Sequence, residues 1–63
     1  MSALNSSIQH CMKVGKSYRI DRLEDDMFNL VIELETRPGT NRRMFFEMLD
    51  KQDLLANGFE VPQ

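Results

Sequence analysis

Phe28-Asn29-Leu30-Val31-Ile32-Glu33-Leu34-Glu35-Thr36-Arg37-Pro38-Gly39-Thr40-Asn41-Arg42-Arg43-Met44-Phe45-Phe46 carries two runs of strand-forming residues on either side of a Pro-Gly pair. Runs of β-branched and aromatic residues around such a pair read as a β-hairpin. Phe28, Leu30, Ile32 and Leu34 share one face of the first strand, and Asn29, Glu33 and Glu35 share the other. The second strand is expected over 42–49. A single helix over 42–58 would gather Met44, Phe45, Met48, Leu49, Leu55 and Ala56 on one side, but Arg42 and Arg43 would then sit on the positive end of its dipole.

Register follows from the side chains, because residues directly opposite on antiparallel strands share a face. Ile32 against Met44, Leu30 against Phe46 and Phe28 against Met48 are all apolar. On the reverse face the same register sets Glu33 against Arg43, Val31 against Phe45 and Met27 against Leu49. A one-residue slip puts Leu30 against Glu47 and loses this order. The register calls for a loop with an odd number of residues, 37–39 or 36–40. Pro38 opposes the shorter one, because it disfavours the helical conformation at Arg37 that the commonest three-residue loop uses.

Working outward, Tyr18-Arg19-Ile20-Asp21-Arg22-Leu23 alternates as an earlier strand, closed by the polar turn Glu24-Asp25-Asp26. Leu4, Ile8, Cys11 and Met12 fall at helical spacing over 3–13, Lys13 suits the C-terminal dipole, and Gly15 is the stop. That apolar stripe is thin, so the helix needs the sheet to pack on. At the other end, Asp50 is placed to cap a short helix over 51–57, with Asp53 completing a capping box and Gly58 in the left-handed C-terminal position. The predicted fold is α+β: a small three-stranded antiparallel β-meander with an N-terminal helix and a short C-terminal helix, in a single domain over 1–63. The alternative is a small SH3-like β-barrel in which Glu60-Val61 supplies a last strand.

Composition narrows function by exclusion. A chain of 63 residues with one cysteine, Cys11, and one histidine, His10, forms no internal disulfide and no four-ligand zinc site. Domains this short bury only about 60% of their unfolded surface and lean on partners or an idealised core. The 41% hydrophobic and 29% charged fractions are those of an ordinary globular chain, and no apolar run reaches the length of a membrane helix. The first residues, Met1 to Ser7, show no basic region followed by an apolar core, so no secretory leader and a cytoplasmic location are expected. A net charge of −2 argues against a general polyanion binder.

No chemical signature survives inspection. Glu24-Asp25-Asp26 lacks the spacing and glycine of a calcium loop. His10 and Cys11 are adjacent, and neighbours on a helix do not face each other. Gly15-Lys16-Ser17 resembles the end of a phosphate-binding loop, but His10 stands where the motif needs its first glycine. Neither an enzyme, a cofactor nor a metal is expected.

The informative feature is the reverse face of the hairpin, where Met27, Val31, Phe45 and Leu49 line up and Leu23 joins from the earlier strand. A half-buried sheet is normally polar there, and an apolar patch of that size is rarely left bare. Either a helix covers it or another protein does. The lead expectation is a non-enzymatic regulatory or adaptor protein acting through this face on another protein, and the chain itself is expected to form a homodimer through it. The alternative is an RNA- or single-strand-binding module in which Arg37, Arg42 and Arg43 at the hairpin tip grip phosphate beside Phe45.

Overall fold

The computed structural model describes residues 3–62 as helix α1 (Ala3–Val14), strand β1 (Gly15–Arg22), a 3₁₀ turn (Glu24–Asp26), strands β2 (Phe28–Arg37) and β3 (Thr40–Leu49), and helix α2 (Lys51–Ala56). The three strands form one open antiparallel sheet in the order β1-β2-β3. This is the expected α+β meander. The SH3-like alternative is not realised: residues 59–62 form no strand, and Phe59 and Val61 pack on the core instead.

Both helices lie on one face. Ile8 and Cys11 from α1, Leu54 from α2 and Phe59 from the tail meet Phe28, Leu30, Ile32 and Leu49 in a single buried cluster. Every second residue of β2 points into it, as the pleat requires. Its main helix contacts run from α1 to β1 and β2. A polar clamp joins the helices behind the cluster: Gln9 Nε2 donates to Asn57 Oδ1 at 3.0 Å, and Asn57 Nδ2 donates to Asn5 Oδ1 at 3.0 Å.

The termini of the elements follow local chemistry. Asp53 N–H donates to the Asp50 side chain at 2.9 Å and Asp50 N–H donates back to the Asp53 carboxylate at 3.1 Å, the reciprocal capping box expected from the sequence. Asn57 is the C-cap and Gly58 follows at φ 81°. No loop separates α1 from β1. At Gly15 an added Cβ would stand 2.6 Å from Ile32 Cγ2 and 2.7 Å from the Cys11 carbonyl oxygen, so only glycine lets the helix end this close to the sheet.

The hairpin register is the expected one from Leu30↔Phe46 through Val31↔Phe45, Ile32↔Met44 and Glu33↔Arg43. Two departures bracket it. At the tip, Arg37 pairs with Thr40 and the loop is the two residues Pro38-Gly39, not three or five. Pro38 holds Arg37 extended, and Gly39 at φ 81° takes the positive-φ position of a type II turn. The odd residue becomes Thr36, which has no partner where the register steps between Glu35 and Arg37.

At the far end Phe28 pairs with Leu49 rather than Met48, because a bulge steps the register between Phe28 and Leu30. Met48 adopts φ 58° there, and its N–H donates to Asn29 Oδ1 at 3.1 Å. The bulge turns the alternation over. Leu49 therefore enters the core at 2% exposure, and Met48 is left 63% exposed.

Two substitutions test these constraints. Gly15→Ala should cost roughly 1–3 kcal/mol through overpacking against Ile32. Met48→Gly should add roughly 0.5–1 kcal/mol, since relief of the left-handed strain at an exposed side chain exceeds the entropy glycine adds to the unfolded chain. Urea melts of both variants check the signs, and a stabilised Gly15→Ala would contradict the close approach.

Candidate protein-interaction surface

The face of the sheet opposite the helices carries alternate residues of each strand. Register places Ser17, Arg19 and Asp21 of β1 beside Glu33, Val31 and Asn29 of β2, and Arg43 and Phe45 of β3 beside Glu33 and Val31. Both helices of the described residues pack on the other side, so neither covers the reverse face. Two ion pairs stand on it: Arg43 Nε donates to Glu33 Oε1 at 3.0 Å and Arg19 Nε to Asp21 Oδ2 at 3.1 Å. Both are substantially exposed, so each contributes at most about 1 kcal/mol.

The five residues expected to form an apolar strip are only partly assembled. Val31 lies on this face between Arg19 and Phe45 and is 5% exposed although it stands outside the core cluster. Phe45 is 57% exposed. Leu23 and Met27 are half-buried, with extended backbone that continues the alternation of their strands toward the reverse side, and Leu23 N–H donates to the Met27 carbonyl at 2.7 Å. Leu49 is the correction. The bulge at Met48 takes it off this face and into the core, so it cannot contact a partner.

The expected arginine cluster also divides. Arg43 faces the bare side with its guanidinium on Glu33, whereas Arg42 pairs with Leu34, a residue of the helix side. Arg37 sits at the turn opposite Thr40. All three are exposed, but the pleat sends Arg42 and Arg43 to opposite faces.

Sequence reasoning misses the edge. Met44 is expected on the core face and does point there, yet it is 41% exposed because α1 packs mainly over β1 and β2. Ser6, Ser7, His10 and Cys11 of α1 and Met44 and Phe46 of β3 line an open groove of about 460 Å³. His10 is exposed at this groove and Cys11 is buried beneath it. The signal lies in the run Met44-Phe45-Phe46, three large apolar residues in a row, which a one-sided strand does not need. Elsewhere Lys16 Nζ donates to Glu35 Oε2 at 2.8 Å and Arg22 Nη2 reaches Asp26 Oδ1 at 3.4 Å.

No family model, curated protein or solved structure matches this chain. No helix among the described residues is long and apolar enough to cross a membrane.

Leu49 and Phe45 should separate cleanly in stability. Leu49→Ala should cost about 2–5 kcal/mol as a core truncation, and Phe45→Ala should cost less than half of that at a dilution where any complex dissociates. Equal losses in chemical denaturation would place Phe45 in the core.

Proposed function

We propose that this protein is a small non-enzymatic regulatory or adaptor protein that binds another protein through the bare sheet face and its β3 margin. Phe45 is the anchor. The observation that carries the reading is the conjunction of a sheet face with no helix over it among the described residues and a phenylalanine more than half exposed beside a buried valine on that face. Aromatic side chains dominate interface energetics, and flanking ion pairs form the polar rim such anchors usually have. The exposed Met44 and Met48 extend the apolar area along the same strand, and methionine adapts to the shape of a partner. A single thiol buried in the core fits a reducing cytoplasm.

Nucleic-acid binding is the weaker reading. A single-strand binder needs cations and stacking rings along one track. Here the two arginines beside Phe45 leave opposite faces of β3, and the one that shares its face is engaged by Glu33.

Phe45→Asp should abolish association with the protein's partner while leaving a folded circular dichroism spectrum. Leu55→Asp, a change at an equally exposed leucine on α2, should leave association intact. Affinity capture from the cells that encode the chain, together with sedimentation of the isolated protein, measures both. Association that ignores Phe45, or retention of the wild type on single-stranded RNA that Arg42→Glu with Arg43→Glu removes, would defeat the proposal.

A further inference from the structure

Strand β3 lies at the edge of the sheet, and its outer backbone groups have no strand beside them among the described residues. Its middle is apolar on both sides: Met44 and Phe46 toward the helices, Phe45 toward the bare face. Unpaired N–H and C=O groups flanked by exposed apolar side chains are a template for another strand. The opposite edge is protected. β1 carries Lys16, Arg19, Asp21 and Arg22 and has a bulge at its start, both of which discourage strand addition.

The sequence of β3 is complementary to itself run backwards. Arg43-Met44-Phe45-Phe46-Glu47 reads cation, apolar, aromatic, apolar, anion. We infer that β3 pairs with β3 of a second copy, antiparallel about a two-fold axis at Phe45, to give one continuous sheet with both helix layers on the same side. That register sets the two Phe45 rings against each other on the bare face and opposes Arg43 of each copy to Glu47 of the other, Arg43 keeping its Nε on Glu33 and turning its Nη groups to the second carboxylate. Glu47 has no cation partner within its own chain among the described residues. On the helix side, Met44 of each copy meets Phe46 of the other at the rim of the groove beneath α1.

Neighbouring registers do worse. An axis at Met44 opposes Arg43 to Phe45, and an axis at Phe46 opposes Phe45 to Glu47; both lose the ion pairs. An axis between Met44 and Phe45 keeps an Arg42–Glu47 pair, but it opposes Arg43 to Phe46 and Met44 to Phe45, residues of opposite faces, whereas directly opposed residues of an antiparallel ladder share a face. Pairing β3 with β1 of another copy would be head-to-tail and would run on into open fibres, whereas the two-fold arrangement closes. Phe45 keeps the anchor role proposed above, on which this pairing rests, and the occupant is a second copy of the chain.

Sedimentation equilibrium from low to high micromolar concentration should find a dimer. Glu47→Arg should raise its Kd about tenfold, because it opposes two arginines at both symmetric positions. In a Glu33→Gln background, which removes the intrachain partner of Arg43, Arg43→Glu combined with Glu47→Arg should return the Kd to within about threefold of the Glu33→Gln parent. In a Cys11→Ala background, Phe45→Cys should form a disulfide-linked dimer under mild oxidation and Thr40→Cys should not, since only facing residues at the axis bring their Cβ atoms within reach. A wild type that stays monomeric throughout, a charge swap that fails to recover, or cross-linking at Thr40 in place of Phe45 would overturn the pairing. If a monomeric wild type still shows Phe45-dependent capture of a different protein, the second copy alone is refuted. Loss of that capture as well would remove the interaction reading itself.

Discussion

The contact between Gly15 and Ile32 sets the layout of this molecule. With no residue between α1 and β1, the last turn of the helix must lie against the central strand at a separation that leaves no room for a Cβ. The helix is thereby committed to one face, directly over β1 and β2. Ile8 and Cys11 then meet Leu30 and Ile32 across the shortest path available, and the core forms there. A connecting loop of several residues would have let α1 settle across the middle of the sheet, or on its other side.

This placement leaves the sheet covered unevenly. The short helix α2 and the tail close the end of the core near Phe28, Leu49 and Phe59, and the Tyr18 ring lies tilted against Phe59 with centroids 5.1 Å apart along the β1 margin. Nothing comparable among the described residues reaches the middle of β3, so Met44 and Phe45 remain exposed on opposite sides of the same strand. A chain of this size has too few elements to cover both faces and both edges of its own sheet. The β1 edge is guarded by charge and a bulge, and the bare face by two exposed ion pairs. The β3 edge has neither guard between Arg43 and Glu47, and this asymmetry is why the proposed interactions gather there.

Two bulges bound the regular part of the hairpin, and each has a cause in a single side chain. Pro38 keeps Arg37 extended and expels Thr36 from the ladder. At the other end Asn29 supplies an acceptor to the Met48 N–H, which helps hold a non-glycine residue in the left-handed region. The second bulge moves Leu49 into the core where it closes the cluster against Leu54 and Phe59. It thereby exchanges a buried leucine for an exposed methionine at the end of the strand.

The order of elements, the hairpin register, the capping box at Asp50 and Asp53, and the identity of Phe45 as an outward aromatic were legible in the sequence alone. Each depends on interactions within a few residues or on the two-residue period of paired strands, and such rules act locally. Tertiary structure decided which face the helices cover, where Leu49 points, that Arg42 and Arg43 part company, and that Met44 is left in solvent. Those outcomes turn on a bulge of one residue and on the approach of Gly15 to Ile32, which lies on a different strand. A one-residue insertion reverses every side chain beyond it, and a helix's lateral position over a sheet is set by the closest backbone approach its junction permits. Neither distance is written in the spacing of apolar residues along the chain.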